Sequence, residues 1–93
     1  MPYIKKKDRI ILDDSIESLA IRIATYDGMA GRFNYSISKM IDIILTQRGL
    51  NYANMNEIIG ALECIKLELY RRIASPYEDK KIKENGDVYN ETV

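Results

Sequence analysis

The 93-residue sequence has no histidine and no tryptophan, and only one cysteine (Cys64), two prolines and one phenylalanine. Without histidine the usual zinc donor sets and the imidazole-based acid/base and nucleophile schemes are excluded. A lone cysteine rules out a disulfide within the chain. Charge of one sign is also missing. The 14 basic and 14 acidic residues cancel, so the whole molecule has no field to steer it to DNA, RNA or an anionic membrane. Any anion site must be a local patch. No stretch approaches the ~20 apolar residues of a membrane span. The opening residues, Met1 to Arg9 followed by only Ile10, Ile11 and Leu12, lack the apolar core of a secretory leader. The expectation is a cytoplasmic protein that does not contact a membrane. Glu57, Glu63 and Glu68 are acidic enough for acid/base work, but helix capping and charge pairing over three or four residues account for them. No catalytic residue, metal site or cofactor is assigned.

What is present is an apolar content of 46% against 30% charged residues, a balance that folds rather than remaining disordered. At this length a single domain burying roughly 60–65% of the unfolded surface is expected. Residues 1 to 12 read as an extended basic arm ending in an apolar plug. Asp13, Asp14 and Ser15 offer capping oxygens, after which Ile16, Leu19, Ala20 and Ile23 recur at i, i+3, i+4 and i+7. The pattern predicts a helix over residues 14 to 26. Gly28 and Gly31 predict a flexible break, and Asn34 a cap for a second helix over 35 to 48 that ends at Gly49. Asn54 with Glu57 resembles a capping box. It opens the longest stripe, Met55, Ile58, Ile59, Leu62, Ile65, Leu69 and Ile73, and Pro76 predicts its end near Ala74. A short helix over 77 to 84 within a polar tail, residues 77 to 93, completes the expected all-α fold of one long central helix, two shorter ones and a C-terminal piece. Ala61, Cys64 and Leu67 form a second apolar strip on the long helix, which self-association would cover. Gly60, costly inside a helix, suggests close helix packing.

The candidate binding residues lie late in the chain. Seven tyrosines stand against one phenylalanine, and Tyr70, Tyr77 and Tyr89 fall among Arg71, Arg72, Lys80, Lys81 and Lys83. Aromatic faces interleaved with cations suit a ligand carrying bases and phosphates, because the ring stacks on a base while guanidinium groups take phosphate oxygens. Spacing alone leaves an ordinary alternative open, with Tyr70 in the core and Arg71 and Arg72 solvated near the carbonyl end of the long helix. The basic run Lys5-Lys6-Lys7 with Arg9 likewise reads equally as a solvated arm.

The segments Leu50-Asn51-Tyr52-Ala53, Asn56 to Cys64 and Leu67 to Arg72, with Pro76 to Lys81, Glu84 to Tyr89 and the opening Met1 to Lys6, resemble a family of short phage and bacterial proteins. That family is in turn similar to phage anti-CBASS sponges. The resemblance covers nearly the whole chain. It implies a phage immune-evasion protein in the host cytoplasm, a helical homo-oligomer (dimer or tetramer) that sequesters cyclic dinucleotide second messengers such as 3'3'-cGAMP without cleaving them. Residues 27 to 33 depart from the family pattern, so nothing critical is expected there. Chemistry alone then nominates Tyr70, Arg71, Arg72, Tyr77, Lys80, Asn85 and Tyr89 as ligand-binding, with Asn85 reading a base edge or ribose. The alternative is a protein-interaction module or an inhibitor of a host protein.

Overall fold

The computed structural model describes residues 2–90, which are all-helical with no strand among them. The helices are α1 (Lys6–Thr25), α2 (Met29–Arg48), α3 (Tyr52–Leu69) and α4 (Ser75–Asn85), with a π-helical segment, Tyr70–Ala74, between α3 and α4. The chain divides into two compact units, one up to Ile59 and the other from Gly60.

In the first unit α1 begins eight residues ahead of its expected start, so only residues 2–5 of the predicted arm are non-helical. The reason is visible in the pattern. Leu12 extends the stripe of Ile16, Leu19 and Ile23 back by one turn, and Lys and Arg are good helix formers. No side chain caps α1; Asp8 N–H bonds to Lys5 O (2.9 Å), and Arg9 Nε donates to Ile4 O (2.9 Å). Asp13, Asp14 and Ser15 therefore sit inside the helix. α2 also starts early, at Met29 rather than after Asn34. Gly28 supplies the entry turn with φ +81°, a conformation other residues rarely adopt. Gly31 is absorbed into the helix. Asn34 accepts a hydrogen bond from Ser38 Oγ (3.2 Å) in place of capping.

The turn from α2 to α3 is built by a glycine and two asparagines. Gly49, at φ +109°, closes α2 with its N–H on Leu45 O (2.8 Å). Asn51 Oδ1 accepts the Asn54 N–H (2.9 Å), so the cap of α3 is Asn51 rather than the expected Asn54. Asn54 instead reaches back, and its Nδ2 donates to Arg48 O (3.1 Å) and Gly49 O (2.9 Å), satisfying end carbonyls of α2.

In the second unit the helix passes through Pro76 instead of stopping before it. Proline has no N–H and its ring collides with the carbonyl four residues back. Widening one turn accommodates both, and Ser75 N–H reaches Tyr70 O five residues away. Pro76 then occupies the first turn of α4, where a missing donor costs little. Gly86, at φ +90°, ends α4 with its N–H on Ile82 O (2.8 Å).

The modest core expected from composition is not formed within one chain. None of the described residues is buried. Leu19, Ile23, Ile37, Ile41, Leu45, Met55 and Ile58 reach half-burial, and the helix-to-helix contact of the first unit is that of α1 with α2. Both apolar sides of α3 are open: Ile59, Ile65, Leu69 and Leu67 are each more than half exposed. Cys64, expected to be packed, is exposed as well. A Cβ on Gly60 would meet nothing within 4 Å, so no packing inside the chain uses its missing side chain. Among the described residues no helix is long and apolar enough to cross a membrane.

Candidate functional site

The seven nominated residues fall on three consecutive pieces of the second unit. Tyr70, Arg71 and Arg72 lie in the π-helical segment, Tyr77, Lys80 and Asn85 on α4, and Tyr89 in the chain that follows. Tyr70 (57% exposed), Tyr77 (59%) and Tyr89 (76%) all present open ring surface, so the core reading of Tyr70 is excluded within the chain. The π turn matters to this arrangement. It inserts one residue's worth of rotation between Tyr70-Arg71-Arg72 and α4, which re-aims the α4 side chains relative to those of the preceding turn.

Only part of the set is brought together. Asn85 and Tyr89 line one shallow recess of about 320 Å³ with Lys81, Ile82 and Asp87. The recess exists because Gly86 turns the chain back and Asp87 Oδ1 accepts the Tyr89 N–H (2.9 Å), a local turn that holds residues 87 to 89. Lys81 links it to Tyr77: its ammonium lies 5.4 Å from the Tyr77 ring centroid and 3.1 Å from Glu84 Oε2. Tyr70, Arg71, Arg72 and Lys80 do not line this recess. Arg71 is engaged by Glu68, with Nη2 to Oε1 at 2.7 Å and to Oε2 at 3.3 Å. That pair is largely exposed on the arginine side, so an incoming phosphate competes with a weak partner.

Asp87 was missed by residue-type reasoning, and Lys81 was read among the cations near the tyrosines but not nominated. The signal for Lys81 was its position four residues after Tyr77, the spacing that puts a cation over a ring on one helix face. The signal for Asp87 was the Gly-Asp turn pair ahead of Tyr89.

A second concavity lies in the first unit between α1 and α2. It is an apolar groove of about 400 Å³ lined mainly by Leu12, Ile16, Leu19, Phe33, Ile37 and Met40. Leu12, Ile16 and Leu19 on α1 face Phe33, Ile37 and Met40 on α2, each set at four- and three-residue spacing, so the groove is the unfilled seam between two helical stripes. A smaller recess of about 130 Å³ lies between the same helices, with Arg22, Arg32 and Tyr35 in its lining.

These features define an all-helical chain with open apolar faces and an aromatic and cationic surface, with its polar side chains on solvent rather than in a closed cleft. The chain belongs to the family described as "Domain of unknown function (DUF6899)", whose model matches residues 1–88. No match was found among curated proteins, and none among solved structures.

Proposed function

We propose that this chain works by binding and not by catalysis: copies of it associate through their apolar helix faces and hold a cyclic dinucleotide intact on the surface formed by residues 70 to 89. The observation that carries the reading is the placement of Tyr70, Tyr77 and Tyr89, all more than half exposed, on one continuous stretch with Arg71, Arg72, Lys80 and Lys81. A ligand with two bases and two phosphates needs that alternation, because each base takes an aromatic face and each phosphate a cation. The resemblance to phage anti-CBASS sponges supports the same chemistry. It makes the biological role immune evasion in the cytoplasm of an infected host, by withdrawing a signal such as 3'3'-cGAMP from CBASS-type receptors. The recess beside Asn85 and Tyr89 is shallow. A second copy closing over it gives the enclosure a tightly held ligand requires, so assembly and binding are one proposal.

The test is a thermal-shift screen of the purified protein against cyclic di- and trinucleotides, followed by heat release of the bound ligand and chromatography. A ligand at 100 times its Kd adds about 2.7 kcal/mol of stability, and a sponge returns it unaltered. A cleaved ligand would overturn the binding-only reading.

The apolar groove between α1 and α2 favours one other reading, a module that takes an amphipathic helix of a host protein. Absence of stabilisation by any nucleotide, together with capture of a host partner that is lost on Ile37→Glu, decides for it.

A further inference from the structure

Of the six asparagines in the chain, Asn85 alone stands ahead of a glycine, and each of the others is followed by a residue with a side chain. The distinction is chemical. A backbone nitrogen can attack the side-chain amide carbon of the asparagine before it, closing a cyclic imide, and a Cβ on the attacking residue crowds that approach. Glycine has no Cβ and turns freely into the geometry the ring requires.

The structure adds what the dipeptide alone does not show. Asn85 is the last residue of α4 and is exposed, and its side-chain amide has no hydrogen-bond partner among the described residues. Asparagines elsewhere are engaged. Asn34 Oδ1 accepts from Ser38 Oγ, Asn51 Oδ1 accepts the Asn54 N–H, and Asn54 Nδ2 donates to Arg48 O and Gly49 O. Asn56 and Glu57 lie inside α3, where the ladder of backbone bonds occupies the nitrogen that would attack.

One contact holds the reaction back. Gly86 N–H donates to Ile82 O (2.8 Å), and the nitrogen must leave that bond before it can attack. This bond closes the end of α4, and a helix end frays at little cost. Little beyond it pins the chain. Residues 87 to 89 are held by the local bond between the Tyr89 N–H and Asp87 Oδ1 (2.9 Å), while the side chains of Val88 and Tyr89 are open to solvent.

From this we infer that Asn85 is a site of spontaneous covalent modification, deamidation through an imide formed with Gly86. The Gly86 nitrogen bonds to Asn85 Cγ while its proton passes through water to Nδ2, and the Cγ–Nδ2 bond breaks to release ammonia. Water then opens the ring at either carbonyl, leaving aspartate or isoaspartate at position 85. The sequence of steps needs no enzyme and no oxidant. It takes place while the recess beside Asn85 is uncovered. That recess, lined by Lys81 against Glu78 and Asp87, gains a further carboxylate, which repels an anionic ligand. The modification follows from the end of α4 and does not rest on the cyclic dinucleotide reading.

The experiment is an incubation of the dilute full chain at mildly alkaline pH and physiological temperature, followed by cation-exchange chromatography and by mass spectrometry of the tryptic peptide that begins at Glu84. One acidic variant accumulates, eluting earlier and carrying the mass gain of an amide exchanged for a carboxyl. The change maps to position 85, with isoaspartate outnumbering aspartate, the mark of an imide opened from both sides. Asn85→Gln, whose longer side chain closes the ring far more slowly, loses that variant over the same period. The chain unfolded in urea, where Gly86 N–H is free, serves as the positive control and converts faster. Absence of conversion at Asn85 in the folded chain over a period in which the unfolded chain converts fully overturns the site. So does conversion spread at similar rates over the other asparagines, or aspartate formed at position 85 without isoaspartate.

Discussion

Individual residues carry two kinds of load here, and the asparagine pair at the second turn shows the structural one. Asn51 caps α3 while Asn54 satisfies the carbonyls that α2 leaves open. Replacing either by alanine is expected to cost about 1 kcal/mol, in the range of cap deletions, read as a lower midpoint in urea unfolding. Gly49→Ala is expected to cost more, about 1–3 kcal/mol, because φ +109° is strained for any residue with a Cβ. Under the proposed binding reading the functional load falls on Tyr77 and Tyr89. If their rings stack on bases, Tyr77→Ala and Tyr89→Ala each weaken cyclic dinucleotide binding by about 1–3 kcal/mol in calorimetry while leaving the unfolding midpoint nearly unmoved. A loss of affinity no larger than that of Tyr52→Ala, a tyrosine outside the nominated set, would remove the tyrosines from the site.

Helices were legible where hydrophobic period wrote them and illegible where boundaries depend on something other than a side-chain cap. Residues 16 to 23 and 55 to 69 are helical as their periods predict, although the stripe on α3 is left open. Both early starts were missed because Asp13, Asp14 and Asn34 look like caps, whereas the actual entries, at Lys5 and Gly28, use no side-chain oxygen. Pro76 misled in a different way, since its cost is absorbed by a wider turn and not by ending the helix. Residue type nominated Asn85 and Tyr89, which share one recess; the apolar groove between α1 and α2 was not legible, because its members come from two helices whose pairing no local pattern states. The π turn gives an element-scale prediction. Pro76→Ala restores a donor and removes the clash, so the segment from Tyr52 to Asn85 relaxes toward uninterrupted α-helix. Helix content measured by circular dichroism rises while thermal stability changes little, because the wider turn already absorbs the proline's cost. Affinity for the cyclic dinucleotide falls, because α4 rotates by one residue relative to Tyr70 and Arg71. Unchanged affinity in a more helical variant would show that the π turn has no part in aiming the site.

At the scale of the molecule, the absence of any buried residue among those described sets the problem. The α1–α2 hairpin keeps an open apolar seam, and Ile59, Ile65, Leu67 and Leu69 of α3 are each more than half exposed, apolar surface that a second copy would cover. If copies associate as proposed, stability depends on chain concentration, since association stabilises by mass action. The melting temperature should climb steadily as protein is raised from micromolar to hundreds of micromolar, and sedimentation velocity should give a mass that is a multiple of 10.8 kDa. Gly60 refines the test. Within the chain Gly60→Ala meets nothing, so helix propensity alone makes the variant about 1 kcal/mol more stable. If a second copy packs closely over Gly60, the added methyl instead lowers both the mass and the melting temperature. A monomeric mass with a melting temperature independent of concentration would remove self-association, and with it the closing of the tyrosine surface by a second copy.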